Sequence, residues 1–155
     1  LDDPEGTGGG RPARARGLGL LPVRTVFARV KATHRVRAMP LLRFAPSAEI
    51  PGYEIHTGES LRLAGAPAFR IRRPSGETVE DGAVHPRGHV WGTYLHGLFD
   101  AAPFRRAFLA ELGRRAGLGP LRKAAAVPDP LDRWADHVAA HLVMRRIDRM
   151  IHAPR

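Results

Sequence analysis

One histidine combines a reactive side chain with a position that is typical of active sites. His96 lies at the end of the mostly apolar run 89–97, directly before Gly97. In open α/β sheets, ligands bind in crevices beyond the carboxyl ends of the strands. Imidazole titrates near neutral pH, so such a histidine can take a proton from a nucleophile and pass it to a leaving group. The alternative interpretation is a strand-end histidine that only hydrogen-bonds to the backbone.

The residue types that other chemistries would need are missing or lack their partners. The sequence has no cysteine, which excludes disulfides, cysteine-ligated zinc, iron–sulfur clusters and a thiol nucleophile from these 155 residues. His85 and His89 with His96 form one histidine set, and His137 with His141 forms another. Neither set has an acidic partner or an HExxH context, so we predict no metal site.

Strand signals fill most of the first hundred residues, whereas residues 1–22 have the composition of a loop. The run 89–97 is expected to be a strand that is buried on both faces and that delivers His96 to a crevice. The predicted strands cover residues 23–30, 33–39, 53–56, 68–71, 79–84 and 89–97.

Helix signals dominate the C-terminal third. Pro103 suits a first helical turn, and Phe104 recurs with apolar residues at four-residue spacing. A second helix is predicted from the N-cap Asp129 up to Pro154, and residues 124–130 are interpreted as the connection between the two helices. This second helix carries an apolar stripe that would pack against the sheet. The stripe consists of Leu131, Trp134, Val138 and Leu142. Strands followed by helices predict an α/β or α+β domain, with residues 1–155 as a single domain.

The formal net charge of +10 does not by itself indicate nucleic-acid binding. All but Lys31 and Lys123 of the 25 basic residues are arginines, alongside abundant Ala, Gly and Pro, so a GC-rich genome explains the excess. The arginines are scattered and form no long run with interleaved aromatics, and we therefore predict no nucleic-acid partner. No apolar run approaches the ~20 residues of a membrane helix and no leader is apparent, which predicts a cytoplasmic protein with no membrane partner.

Two motifs resemble the amidotransferase domain of the cobyric acid synthase family, whose members amidate corrinoid side chains in cobalamin biosynthesis with glutamine as nitrogen donor. They are GYEIHTG at 52–58 and GTYLHGLFD at 92–100. Further short motifs follow in the family's order: DDPEG at 2–6, GLGLLP at 17–22, Thr25 with Phe27, DGA at 81–83, FR at 104–105 and DRWADH at 132–137. This co-linear succession extends the resemblance over nearly the whole chain.

The resemblance implies an α/β fold, namely part of a class I glutamine amidotransferase-like (flavodoxin-like) sheet with covering helices. It places the catalytic histidine at His96. Many class I amidotransferases carry a glutamate two residues later, where this chain has Leu98; the family is taken to use a Cys–His dyad instead. The resemblance also implies a glutamine-binding role for a short stretch of strand, with a purely structural strand and turn as the alternative. That stretch comprises Tyr53, Glu54, Ile55 and His56.

By the same resemblance, residues 1–155 are the C-terminal portion of the glutamine amidotransferase domain, and the nucleophilic cysteine belongs just upstream of Leu1. These residues alone are then not expected to hydrolyse glutamine. ATP and Mg²⁺ are expected in a separate synthetase domain, since no G-x-x-x-x-G-K-[ST] occurs here, and this chain is expected to bind no cofactor. The expected partners are glutamine and, through the synthetase domain, a corrinoid polycarboxylate.

Two alternatives remain open at this point. One is a related amidotransferase that resembles cobyrinate a,c-diamide synthase or the enzymes that amidate lipid II, because GYE and YLHG signals recur in those relatives. The other is a non-catalytic domain that kept the fold and lost the nucleophile. The motifs GLGLLP at 17–22 and HGLFD at 96–100 together favour the cobyric acid synthase family.

Overall fold

A computed structural model describes residues 1–8, 10–120 and 129–153. The chain divides into two compact units, Leu1–Leu121 and Arg122–Arg155, and each is described by itself. Within the described residues, no helix is both long enough and apolar enough to cross a bilayer.

The first unit is built on a mixed sheet. Its strands are β1 (Asp2–Asp3), β2 (Ala13–Arg14), β3 (Val23–Pro40), β4 (Ile50–Arg62), β5 (Phe69–Arg72), β6 (Thr78–Asp81), β7 (Ala83–Val84), β8 (Trp91–Gly92) and β9 (Leu95–His96). Seven of them form one sheet in the order β2-β1-β3-β4-β9, with β5 pairing with β3 and β6 with β5, while β7 and β8 form a separate pair. The predicted α/β class is confirmed, and the mixed sheet is consistent with a class I amidotransferase-like fold. Within the described residues, β1 and β3 are the only parallel neighbours.

The long hairpin of β3 and β4 determines which side chains face the interior. Side chains alternate between the two faces of a strand, so Val36 and Ala38 are buried while Arg35 and Arg37 are exposed on the opposite face. A register shift lies between Phe27 and Ala32, where the strand bulges but does not end. The predicted strands 23–30 and 33–39 are therefore one continuous strand, and their predicted separation is wrong.

An aromatic cluster packs the helix of the first unit onto the buried face of the sheet. Helix α1 (Ala102–Arg115) begins with a proline in its first turn. Phe104 and Phe69 are fully buried with ring centroids 5.8 Å apart, and Trp91 meets Phe104 edge-on at 6.3 Å. Burying one such ring contributes about 1.5–3 kcal/mol. The helix predicted from Pro103 and the Phe104 periodicity is confirmed.

The apolar run 89–97 does not form the single strand that the sequence predicts. It divides into β8, which pairs with β7, and β9, which pairs with β4 in the larger sheet. Thr93 and Tyr94 connect the two strands, and the Thr93 hydroxyl and the Tyr94 N–H donate to the side-chain carboxylate of Asp81. An apolar run alone does not distinguish one long buried strand from two short ones in different sheets.

The N-terminal segment is more ordered than its loop-like composition predicts. The Leu1 amino group donates to Ala15 O at 2.9 Å, and β1 joins the sheet beside β3. Asp3 is buried and accepts from the backbone N–H groups of Thr7 and Gly8, both at 2.8 Å. A carboxylate that accepts hydrogen bonds from several backbone N–H groups stabilises a tight turn where there is no helix or strand.

The second unit contains two helices, α2 (Pro130–His141) and α3 (Met144–Ile151). Asp129 caps α2, since its carboxylate accepts from Leu131 N at 2.9 Å, which confirms the predicted start. The predicted single helix is interrupted where Leu142 adopts an extended conformation (φ −119°, ψ 151°). Most of the predicted connection 124–130 and the predicted stop at Pro154 lie outside the described residues, and the packing of the apolar stripe against the sheet stays a prediction.

Candidate functional site

His96 lies on a strand at the edge of the large sheet, where β9 pairs with β4 alone among the described strands. The pairing sets His96 opposite Tyr53 and Leu95 opposite Glu54. Because Leu95 is buried, alternation turns the His96 side chain to the other face, where it is exposed. A group that approaches this face therefore meets the imidazole directly.

The ring of His96 is anchored through one nitrogen. Its Nδ1 lies 2.7 Å from the carbonyl oxygen of Tyr94. A carbonyl only accepts, so Nδ1 carries the proton and Nε2 carries the lone pair in this neutral tautomer. Nε2 has no hydrogen-bond partner within the part of the chain that the structure describes. The ring thus presents a proton acceptor of fixed direction, as general-base catalysis requires.

Gly52 allows β9 to lie close to β4. A Cβ at this position would fall 2.5 Å from Leu95 Cδ1 and 2.9 Å from the carbonyl oxygen of His96. Both distances are well below ordinary van der Waals contact. The first glycine of the motif at 52–58 is therefore required for space.

Tyr53 lies beside His96 on the exposed face. It also pairs with Arg35 of β3, whose guanidinium is 5.9 Å from the centre of the tyrosine ring. Arg35, Tyr53 and His96 thus form a row across three strands, next to an open cavity of about 640 Å³ that includes Tyr53 and Gly97 in its lining. The hydroxyl and ring of Tyr53 are available to a ligand because 44% of the residue is exposed.

Glu54 lies on the opposite, buried face and is held by a bidentate ion pair. Arg73 donates to it through Nε at 2.8 Å and Nη2 at 2.6 Å, and His56 Nε2 lies 3.0 Å from Oε1. The Arg73 guanidinium, followed by His56, lowers the pKa of Glu54 to about 2 against the opposing effect of burial. Hydrogen bonds to Glu54 and Glu77 in turn raise the pKa of Arg73. Glu54 is therefore ionised and fully engaged.

His56 has partners at both ring nitrogens. Its Nδ1 lies 2.6 Å from the carbonyl oxygen of Gly58, and its Nε2 faces the Glu54 carboxylate. Both partners are acceptors, so whichever ring nitrogen carries a proton has a group to which it can donate. The ring also lies against Tyr94, with centroids 4.7 Å apart. These contacts make His56 a cross-link between β4 and the segment that precedes β9.

The four residues predicted to bind glutamine thus divide between two faces of β4. Tyr53 accompanies His96 on the open face, while Glu54 and His56 line a second cavity of about 540 Å³ together with Arg73 and other residues. Ile55 is half-buried and pairs with Thr33 in β3. The predicted roles of all four in binding glutamine, and of His96 in catalysis, stay predictions.

The sequence does not predict a functional role for two residues of this site, Arg73 and Asp81. Arg73 belongs to a turn-like Arg-Arg-Pro stretch and is 19 residues from its partner Glu54, so no local spacing links them. Asp81 was visible only as the start of a short motif. It is half-buried, accepts hydrogen bonds from Thr93 and Tyr94, and has its pKa raised by desolvation. Its place in the DGA motif at 81–83 is the one signal that the sequence offers for it.

The histidines named above come together only as pairs within the described residues. His85 and His89 have ring centroids 5.0 Å apart, and His137 and His141 4.2 Å apart. Nowhere in residues 1–8, 10–120 and 129–153 do three His, Asp or Glu side chains come together in a group that could hold a metal ion.

Comparisons with known proteins agree with the motifs. The family described as CobB/CobQ-like glutamine amidotransferase domain matches residues 1–104. Proteins named cobyric acid synthase are similar over most of the chain. The protein from Chloroflexus aurantiacus is 42% identical over 97% of this chain and 30% of its own length. The protein from Moorella thermoacetica is 41% identical over 85% of this chain and 28% of its own length, and the protein from Klebsiella pneumoniae is 40% identical over 95% of this chain and 30% of its own length. No solved structure matches the chain significantly.

The chain spans less than a third of the length of these relatives. The family match nonetheless covers two thirds of the chain and includes every residue of the site described above. The chain therefore belongs to the CobB/CobQ-like glutamine amidotransferase domain family.

Proposed function

We propose that this chain supplies the histidine-bearing part of a glutamine amidotransferase domain, in an enzyme that amidates corrinoid carboxylates during cobalamin biosynthesis. Family membership and the relatives named cobyric acid synthase support this activity. The observation that carries it is the His96 imidazole, which is anchored through Nδ1, open at Nε2 and exposed at a sheet edge. Such a ring can exchange protons with a group brought to its face.

The chemistry needs a thiol that these 155 residues do not contain. We propose that polypeptide outside them brings a cysteine to the exposed face beside Tyr53 and His96. Neutral His96 takes the thiol proton at Nε2, and the resulting thiolate attacks the γ-carboxamide carbon of glutamine. The tetrahedral intermediate then collapses as the His96 imidazolium gives that proton to the departing ammonia, which leaves a thioester. Neutral His96 then takes a proton from water, whose oxygen attacks the thioester. Collapse of this second intermediate releases glutamate and the thiolate, and the His96 imidazolium returns its proton to the sulfur.

The ammonia would serve a ligase reaction that consumes ATP. The described residues contain no cluster of three or more His, Asp or Glu side chains that could hold a metal ion, and the sequence has no P-loop motif. We therefore propose that ATP and Mg²⁺ are held by polypeptide outside these 155 residues. Glutamine is the proposed ligand of the chain itself, and the corrinoid polycarboxylate that of the complete enzyme.

The test is His96→Ala in the complete protein, assayed with either glutamine or ammonium as nitrogen source. Glutamine-dependent amidation of a corrinoid carboxylate should fall by about 10²–10⁴-fold while ammonia-dependent amidation is retained. Equal loss of both activities would refute the role of His96. Glutamine hydrolysis coupled to amidation of a different acceptor, such as a lipid-linked peptide, would refute the corrinoid assignment while leaving the glutaminase intact.

A further inference from the structure

Asp81, at the end of β6, is not used by the chemistry proposed above, although its carboxylate is half-buried and fully engaged. One carboxylate oxygen, Oδ2, accepts from the Thr93 hydroxyl, and the other, Oδ1, accepts from the Tyr94 N–H at 3.4 Å. A threonine hydroxyl has one proton to donate, and here it goes to Asp81. Its lone pair is then free to accept, and the Leu95 N–H donates to it at 2.9 Å.

The last of these bonds fixes the peptide group that holds His96. The N–H of Leu95 and the carbonyl of Tyr94 belong to one planar trans peptide, so they point in opposite directions. Holding the N–H on Thr93 directs the carbonyl oxygen away from the Thr93 hydroxyl, and that oxygen accepts from His96 Nδ1 at 2.7 Å. The series Asp81, Thr93, the Tyr94–Leu95 peptide and His96 is therefore continuous, with a defined donor and acceptor at each step.

We propose that Asp81 is a positioning residue that acts through Thr93 to hold the His96 ring and its tautomer, a role that rests on the proposed function of His96. The carboxylate directs the Thr93 proton, the hydroxyl fixes the Tyr94–Leu95 peptide, and the peptide carbonyl keeps the proton on Nδ1. The Nε2 lone pair is thereby kept toward the exposed face. The desolvation that raises the pKa of Asp81 also strengthens its hydrogen bonds.

The first experiment reads the tautomer directly in the complete protein by nitrogen NMR of labelled histidine rings, with His96→Asn used to assign the signal. The wild-type ring should hold its proton on Nδ1. Thr93→Val keeps the shape of the side chain and removes the hydroxyl, so it should shift the ring toward a mixture of tautomers, whereas Thr93→Ser should retain the wild-type signal. Asp81→Asn should shift it in the same direction as Thr93→Val. An unchanged tautomer in both Thr93→Val and Asp81→Asn would overturn the proposal.

The second experiment measures glutamine hydrolysis in the complete protein. Thr93→Val should lower kcat by about 10- to 100-fold, as expected for a displaced catalytic group, and leave KM for glutamine nearly unchanged. Thr93→Ser should restore kcat to within a few-fold. In a His96→Ala background Thr93→Val should cost nothing more, because both changes act on the same ring. A loss in KM alone, or a full additional loss in that background, would contradict the proposal.

The two hypotheses fail differently. If His96→Ala leaves glutamine hydrolysis intact, the proposed function fails whatever the NMR shows. If His96→Ala abolishes hydrolysis but Thr93→Val has the wild-type tautomer and kcat, then only the positioning role of Asp81 fails.

Discussion

His56 and His96 lie on adjacent strands of one sheet, yet their surroundings prepare them for different work. His56 is surrounded by partners, with a carbonyl at one nitrogen, a carboxylate at the other and an aromatic ring against its face. His96 has a single anchor, on Nδ1, and an exposed side chain. Both histidines occur in glycine-flanked motifs. What separates the structural histidine from the one that can transfer protons is the number of ring nitrogens that have a hydrogen-bond partner.

The largest effect should come from exchanging each histidine for asparagine in the complete protein. His96→Asn removes the proton acceptor and should lower glutamine hydrolysis by about 10²–10⁴-fold. His56→Asn keeps a polar side chain in a supporting position and should cost less than about 10-fold. Steady-state measurement of glutamate release gives both numbers, and comparable losses in the two variants would remove the distinction.

A smaller effect, on stability, should follow from removing the charge that His56 and Arg73 surround. Because the folded pKa of Glu54 is lowered from 4.5 to about 2, ionised Glu54 stabilises the fold above pH 4.5, and this contribution is lost as the pH falls toward 2. A difference of that size corresponds to about 3 kcal/mol. Glu54→Gln should therefore destabilise the chain by about that amount at pH 7 and progressively less below pH 4.5.

Urea unfolding at a series of pH values measures this prediction. A difference between wild type and Glu54→Gln that stays constant from pH 7 to pH 2.5 would show that the carboxylate does not contribute through its charge.

His56 itself should have an intermediate effect on stability. Its loss removes two hydrogen bonds and a contact with the Tyr94 ring, so His56→Asn should lower the free energy of unfolding by about 1–2 kcal/mol. His96→Asn removes one exposed hydrogen bond and should leave the unfolding midpoint close to the wild-type value. The same urea experiments at pH 7 compare the two, and a greater loss for His96→Asn would reverse their assigned roles.

The smallest effect should come from Glu111, the matched control for Glu54. Arg114 and Arg115 lower its pKa to about 2 as well, but both of these arginines are exposed to solvent, unlike Arg73. Solvent and salt screen such pairs, so Glu111→Gln should change the unfolding midpoint only slightly and lose that change in high salt. Thermal unfolding with and without added salt checks this, and a loss as large as that of Glu54→Gln would mean that burial is not what separates the two carboxylates.

Local signals predicted most of the fold. The proline in the first turn of α1 and the Asp129 cap of α2 are patterns within a few residues, and both predicted starts are confirmed. Alternation likewise located the strand around 53–56, and the short strand predicted at 68–71 is also present. These elements were predictable because the residues that specify them are neighbours in the sequence.

The parts that were missed depend on distant partners. The run 89–97 divides because Asp81, more than ten residues earlier, accepts the hydrogen bonds of Thr93 and Tyr94. Arg73 joins the site through Glu54, and no periodicity connects positions so far apart. His96 was singled out because chemistry and position coincide in one residue, whereas its anchor on the Tyr94 carbonyl became visible only with the backbone in place.

Gly52 determines how closely β9, the strand that carries His96, can lie to β4. A single methyl group there would act as a wedge between the two strands and force β9 outward, since it would fall 2.5 Å from Leu95. The imidazole would travel with its strand, and a displacement of about 1 Å is enough to cost a catalytic group roughly a hundredfold in rate. The distance between the His96 ring and an approaching sulfur therefore depends on the missing side chain at Gly52 of β4.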